Sequence, residues 1–277
     1  MPTWRSVLVR WQDQHLRLAE TIVSLVTARP CPMLELDAVG HTFRDGTVAL
    51  HELGLQVRGA EFVAVVGPSG CGKSTLLRLV SGLEVPSIGS LEVATTRLGY
   101  VFQDPTLLPW RSVRRNVELP AELEGLPRAE RRRRADAAIR LVGLEGFERS
   151  RPAALSGGMR MRASLARSLV LEPDLFLFDE PFAALDELSR ERLNVELAQL
   201  FAARRFTALF VTHSITEAVF LATRVVVMSR RPGRIVADVP VPFDYPRAPG
   251  LRFTPEFAAL ASDLSRILRA EATPTVV

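Results

Sequence analysis

The sequence predicts an α/β protein with a parallel-sheet core, an antiparallel β edge and a helical insertion. Three observations carry this. The apolar run Phe62-Val63-Ala64-Val65-Val66 is followed by a glycine-rich loop and then by Leu76-Leu77-Arg78-Leu79-Val80, which reads as helix. The run Leu175-Phe176-Leu177-Phe178 has the unbroken apolar character of a strand buried on both faces. A third apolar run, Thr207-Ala208-Leu209-Phe210-Val211-Thr212, follows a helical stretch, and strands alternating with helices are the pattern of a parallel sheet covered on its faces.

The loop of the first unit is Gly67-Pro68-Ser69-Gly70-Cys71-Gly72-Lys73-Ser74-Thr75, a full G-x-x-x-x-G-K-[ST] match in a strand–loop–helix context. Glycines let successive backbone N–H groups point inward, and the following helix adds its positive N-terminal dipole, so the loop is a cradle for phosphate oxygens. Lys73 would lay a point charge on the β- and γ-phosphates, the Ser74 hydroxyl would ligate Mg²⁺, and Thr75 adds a further phosphate contact. Among 35 basic residues the chain has one lysine, Lys73, placed where a compact ammonium fits and a planar guanidinium does not.

With 277 residues, 47% apolar and 24% charged, the chain has room for one large core or two modest ones. No run approaches the roughly 18 to 20 apolar residues that cross a bilayer, so the chain itself is expected not to span one. The pI near 9.8 reflects arginine usage, while a net charge of +4 gives weak support to a nucleic-acid or anionic-lipid partner. Two cysteines, Cys31 and Cys71, make no disulfide framework and suit a reducing cytoplasm.

Residues 1–32 stand apart from every motif. Trp4, Val7, Trp11, Leu18, Ile22 and Leu25 recur at helical spacing, which reads as an amphipathic helix that docks on a partner or a membrane surface. The plainer reading is a dispensable extension ahead of a start at Met33. From Met33 the alternation in Met33-Leu34-Glu35-Leu36 and Leu53-Gly54-Leu55-Gln56-Val57 predicts strands, with Asp45-Gly46 as a turn. Phe43, just before that turn, either stacks on a purine ring or packs as an ordinary aromatic.

Beyond the loop, Leu98-Gly99-Tyr100-Val101-Phe102 predicts a short strand that delivers Gln103, an amide able to ligate Mg²⁺ or orient water. Prolines 105, 109, 120 and 127 cut the next segment into short pieces before a helix over 128–142. Its arginine run 131–134 reads as a solvated face, because Ala135, Ala138, Ile139 and Val142 supply a buried one. Leu155-Ser156-Gly157-Gly158-Met159 opens a helix over 160–170 and offers a second anion-binding N-terminus through Ser156, Gly157 and Gly158.

The strand 175–178 ends in Asp179 and Glu180. Asp179 would hold Mg²⁺ through water, and Glu180 would polarise the attacking water. Ala184-Leu185-Asp186 then begins a helix reaching about residue 200. The strand 207–212, taken as the last of the sheet, ends at His213, whose imidazole would reach a γ-phosphate. A final helix is expected over about 256–269.

In this order the motifs resemble the ATP-binding cassette (ABC) ATPases, P-loop NTPases with a RecA-like core, over about residues 33–231. The resemblance implies ATP and Mg²⁺ as ligands and a head-to-tail dimer, in which the Ser156–Gly158 signature of one copy closes over ATP held by the loop of the other. It makes Phe43 the adenine-stacking aromatic, Gln103 the lid-loop glutamine, Glu180 the general base, Asp186 the inter-subunit loop acid and His213 the switch histidine. Val101-Phe102-Gln103-Asp104-Pro105, Leu107-Leu108-Pro109-Trp110, the run from Thr212 to Leu221, and Pro232-Gly233-Arg234-Ile235-Val236 look like the nitrate/sulfonate/taurine branch of bacterial importers. That branch implies an integral-membrane permease, a periplasmic or lipid-anchored substrate-binding protein, and a place on the cytoplasmic face of the cell membrane. Trp110 falls where the permease's coupling helix docks, or in the core.

The implied layout is an extension over 1–32, an ATPase domain over 33–235 with its helical subdomain over about 104–168, and an appendage over 236–277. Two departures from the family pattern stand out. Ala60 replaces a glycine, tolerable where the turn needs no positive φ. Met161 replaces a glutamine of the signature helix and is expected to remove an amide from the dimer face. The alternative function is a soluble ATPase acting on nucleic acid or ribosomes, disfavoured by the single cassette and the lack of a heptad run.

Overall fold

The computed structural model describes residues 32–272. The amphipathic helix expected between Trp4 and Leu25 lies outside them.

Two sheets organise the chain. Strands β1 (Leu34–Thr42), β2 (Val48–Val57) and β4 (Ile88–Val93) form an antiparallel sheet in the order β2-β1-β4, with Leu34 opposite both Val57 and Val93. The Asp45-Gly46 turn joins the first two, and the Asp45 carboxylate accepts the Thr47 N–H at 2.9 Å. The second sheet has the order β5-β6-β7-β3-β8-β9. It comprises β5 (Leu98–Val101), β6 (Leu175–Asp179), β7 (Thr207–Val211), β3 (Phe62–Val66) and β8 (Arg224–Met228) in parallel, with β9 (Ile235–Pro240) antiparallel at the edge.

Strand alternation splits the core in two. Phe62, Ala64, Phe176, Phe178, Ala208, Phe210, Val225 and Val227 face one side, where they meet helices. These are α2 (Val113–Val117), α3 (Leu119–Leu123), α4 (Arg128–Leu141), α5 (Gly157–Leu169), α6 (Glu187–Arg204), α7 (Ile215–Leu221) and α8 (Pro255–Ala272). Val63, Val65, Leu175, Leu177, Leu209, Val211, Val226 and Met228 face the other side, against α1 (Lys73–Val80) and the antiparallel sheet. Phe62 anchors the first cluster, its ring centroid 5.3 Å from that of Phe201 and 5.7 Å from that of Phe210. Truncating such a ring to alanine costs about 3–5 kcal/mol.

Several sequence expectations need correction. Residues 207–212 do not form the last strand: β8 follows and pairs with β3 on the side away from β7. Strand β4 escaped the sequence reading because its exposed, glycine-containing pattern carries little apolar periodicity. Helix α5 begins at Gly157 rather than Arg160, since Ser156 caps it, and α6 begins at Glu187, since Asp186 caps it.

Both departures from the family pattern also read differently in three dimensions. Ala60 has φ +62°, so its turn does require the left-handed region that glycine favours; its N–H donates to the Thr207 hydroxyl at 3.1 Å. Met161 is 3% exposed and packs into the core beside Phe178, Phe182 and Leu193. It presents nothing to a facing copy, because the face of α5 that bears it is turned toward the sheet.

Candidate active site

Strand β3 is buried along its whole length and stops at Val66; the chain then turns through residues 67–72 into α1. Gly72 occupies the position before the helix with φ +107°. A Cβ there would stand 2.5 Å from Leu50 Cδ2 and 3.0 Å from the Ala49 carbonyl oxygen, so both the backbone angle and the space exclude other residues. The loop is backed by β2 and by Gly233, whose N–H donates to the Ala49 carbonyl at 2.9 Å and whose missing Cβ would collide with the Cys71 carbonyl oxygen. Cys71 is buried behind the loop, and that burial pushes its thiol pKa up.

The Lys73 ammonium, 6% exposed, donates to the carbonyls of Gly67 at 2.9 Å and Pro68 at 3.1 Å and lies 3.9 Å from Glu180 Oε1. The adjacent Ser74 hydroxyl donates to Asp179 Oδ1 at 2.9 Å. The parity of β6 puts Asp179 on the α1 side of the sheet with Leu175 and Leu177, which is why this pair forms. Tyr100, on the same side of neighbouring β5, donates its phenol O–H to Asp179 Oδ2 at 3.4 Å. Burial raises the Asp179 pKa, and the neighbouring Glu180 charge adds to it; Ser74, Tyr100 and Arg78 oppose the rise.

Register gathers the remaining groups at the same C-terminal sheet edge. Val65 lies opposite Val211, Val211 opposite Asp179, and Phe178 opposite Val101. The residues that leave these strands are therefore the phosphate loop, His213, Glu180 and Gln103, side by side where open α/β sheets bind ligands. Glu180 has φ +46°, an uncommon conformation for a side chain of its size, and its N–H is held by the Val211 carbonyl at 3.0 Å. His213 Nδ1 lies 3.3 Å from Glu180 Oε2, so the carboxylate stands between lysine and imidazole. Gln103 is exposed just past the end of β5.

The remaining expected site residues are held by contacts of their own. The Ser156 hydroxyl accepts the Met159 N–H at 3.2 Å, and Asp186 accepts the Ser189 N–H at 3.0 Å, which holds its carboxyl below the usual range. The two caps adjoin: a Cβ at Gly157 would sit 3.6 Å from Leu185 Cδ2, and one at Gly158 would sit 4.0 Å from Ser189. Phe43 is half-buried, edge-on to His41 with ring centroids 4.9 Å apart. Sequence reasoning missed Tyr100, although its even spacing from Leu98 puts it on the Asp179 side. It also missed Arg231, which donates to the Gly70 carbonyl at 3.1 Å from a loop 161 residues away in sequence.

The site fits a hard divalent cation. Ser74 and Asp179 present two adjacent oxygen donors, and the half-buried carboxylate lacks a full compensating charge. Among the described residues no group of three or more His, Cys, Asp or Glu side chains could hold a metal, so this one would keep waters or phosphate oxygens in its shell.

The family model described as ABC transporter matches residues 50–183. The chain is 44% identical to an uncharacterised ABC transporter ATP-binding protein of Methanocaldococcus jannaschii, over 80% of this chain and 85% of that one. It is 43% identical to a taurine import ATP-binding protein of Pseudomonas aeruginosa, over 78% and 86% of the two chains. It is 42% identical to a nitrate import ATP-binding protein of Synechococcus elongatus, over 77% and 83%. Among solved structures it resembles cbiO1 from Clostridium perfringens with a TM-score of 0.70 at 26% identity, covering 87% of this chain and 99% of that one. It resembles the dimeric bacterial ABC transporter cassette MJ0796 with a TM-score of 0.68 at 30% identity, covering 76% and 100%; that cassette is also known in a post-hydrolysis state bound to ADP and Pi. The glycine-rich loop, the carboxylates beside its lysine and these likenesses agree: this chain belongs to the ATP-binding cassette ATPases of ABC transporters.

Proposed function

We propose that the chain is the ATP-hydrolysing subunit of an importer for a small anion such as nitrate, a sulfonate or taurine, and that it works on a separate membrane permease. The observation that carries the catalytic part is the line Lys73–Glu180–His213, with gaps of 3.9 and 3.3 Å, beside the Ser74–Asp179 pair. The importer branch is supported by the taurine and nitrate import relatives. Their names favour transport over the soluble, nucleic-acid reading.

The chain's own groups divide the work. Backbone N–H groups of residues 69–75 and the N-terminal dipole of α1 receive the phosphates, and Lys73 exchanges its loop carbonyls for β- and γ-phosphate oxygens. Glu180 accepts a proton from the attacking water, a contribution typically of about 10²–10⁴-fold. Its left-handed backbone, a strain of about 1–3 kcal/mol, aims the carboxylate between Lys73 and His213. His213 holds the γ-phosphate from the far side. Ser74 and Asp179, with Gln103 entering from β5, would hold Mg²⁺, which neutralises charge on the transferring phosphoryl group.

The Ser156 hydroxyl uses a lone pair as a cap, which leaves its proton free to donate to a phosphate held by a second copy, alongside the N–H groups of Gly157 and Gly158. Asp186 adjoins that signature and would line the same dimer seam, and Phe43 would stack on adenine. Trp110, 69% exposed among the helices of residues 104–169, is the natural contact for the permease. No helix of the described residues is long and apolar enough to cross a membrane, which suits a peripheral subunit at the cytoplasmic face. A periplasmic or lipid-anchored binding protein would deliver cargo to the permease.

The test separates binding from turnover. Lys73→Ala should abolish tight ATP binding, whereas Glu180→Gln should bind ATP like the wild type and release no phosphate. Equal loss of binding in both would refute this division of labour.

A further inference from the structure

His213 is bracketed by a network that the catalytic account does not use. The residue before it, Thr212, is 2% exposed; its hydroxyl donates to Glu217 Oε2 at 2.5 Å and accepts the N–H of Ser214, the residue after it, at 3.0 Å. The backbone N–H of Glu217 donates to the Ser214 hydroxyl at 3.3 Å, so Glu217 meets both flanks of the histidine, its carboxylate on Thr212 and its N–H on Ser214. The carboxylate is 6% exposed, and its burial raises its pKa.

Its charge partner comes from another helix. Arg190 Nε, buried and without a hydrogen-bond partner, points at Glu217 Oε1 from 3.7 Å. The same guanidinium donates to the Leu185 carbonyl at 2.9 Å and to Glu187 Oε2 at 3.1 Å. Leu185 and Glu187 flank Asp186. One arginine therefore grips the loop that carries Asp186, while its buried edge faces the carboxylate that frames His213.

We propose that Arg190 and Glu217 are positioning residues that couple the Asp186 loop to His213, so that closure of a second copy on that loop sets the imidazole against Glu180. The proposal rests on the catalytic reading above. A shift of the Leu185 carbonyl drags Arg190, whose separation from Glu217 leaves room to tighten into a direct charge-assisted hydrogen bond. Tightening there stiffens Thr212 and Ser214, and with them the histidine between them. A buried ion pair of this kind adds little net stability but fixes geometry.

The experiment uses the full chain and four measurements: melting temperature, ATP affinity, KM and kcat. Glu217→Gln, which keeps shape and removes charge, should lower kcat about ten- to a hundredfold with KM for ATP within about twofold. Arg190→Met should do the same, and the double variant should be no slower than either single one. In a His213→Ala background Glu217→Gln should have no further effect, because its influence runs through the imidazole. Thr212→Val should mimic Glu217→Gln, and Thr212→Ser, which restores the hydroxyl, should recover the rate. The proposal is overturned if Glu217→Gln multiplies the loss in the His213→Ala background, or if kcat falls only in step with melting temperature. Full activity of both Glu217→Gln and Arg190→Met would overturn it as well. A wild-type chain that hydrolyses no ATP would instead remove the catalytic reading on which it stands.

Discussion

The Ser74 hydroxyl donates to Asp179 at 2.9 Å, tying the first turn of α1 to the end of β6 across 105 residues of sequence. The bond places two oxygen donors side by side, and it does so at a carboxylate whose charged form is penalised by burial.

A pH dependence follows. Because the folded Asp179 pKa is raised, its stabilising contribution is fully present below the unfolded value and is lost as pH rises through the folded one. A bound cation reverses this by favouring the ionised form. Mg²⁺ affinity should therefore weaken on acidification at a higher pH than an ordinary aspartate would show. Asp179→Asn should bind Mg²⁺ poorly and lose that pH dependence; titration calorimetry with Mg²⁺ and a non-hydrolysable ATP analogue measures both. An unchanged profile in the variant would place the cation elsewhere.

Ala60→Gly tests the backbone. At φ +62° alanine carries a strain of about 1–2 kcal/mol that glycine lacks, offset in part by glycine's greater unfolded-state entropy. The variant should melt a few degrees higher, with ATP turnover unchanged. A lower melting temperature would show that the turn gains more from the Cβ than it loses in strain.

Met161→Gln tests the packing of α5. With its side chain 3% exposed among Phe178, Phe182 and Leu193, an amide there would be buried without partners, at about 1–3 kcal/mol. Denaturant unfolding should detect that loss. Unaltered stability together with stronger ATP-dependent association would restore the family-based expectation that this residue faces a second copy.

Arg247 ties the C-terminal segment to α7, the helix that follows His213. It is 4% exposed, and its guanidinium donates to the carbonyls of Val219, Phe220, Ala222 and Phe243 at 2.8–2.9 Å, closing the C-terminal end of α7. Arg247→Met should cost at least about 2 kcal/mol. Hydrogen exchange should show the loss concentrated in α7 and residues 243–247; uniform loosening would argue against a local clamp.

What was legible in the sequence follows from which forces are local. The phosphate loop and the carboxylates after β6 could be read because each is a run of adjacent residues beside an apolar strand, and strand register then gathers them without further instruction. Tyr100 was hidden because its role depends on which face of β5 it takes, and that parity is decided by the neighbouring strand. Glu217 and Arg190 lie 27 positions apart on different helices, and nothing near either one signals the other. Ala60 and Met161 were misjudged for a related reason: a substitution's effect depends on a backbone angle and a burial that the residue type does not reveal. Strand β8 has a plain Val-Val-Val run, but no expected site residue follows it to mark it as part of the sheet edge.

The most direct measurement mixes two inactive chains. Lys73→Ala keeps an intact signature but a dead loop, and Ser156→Arg keeps an intact loop but a blocked signature, so a mixed dimer contains one complete site. The account predicts that phosphate release, absent from each variant alone, appears when they are combined; a mixture as inactive as its components would contradict a site shared between Lys73 of one copy and Ser156 of the other.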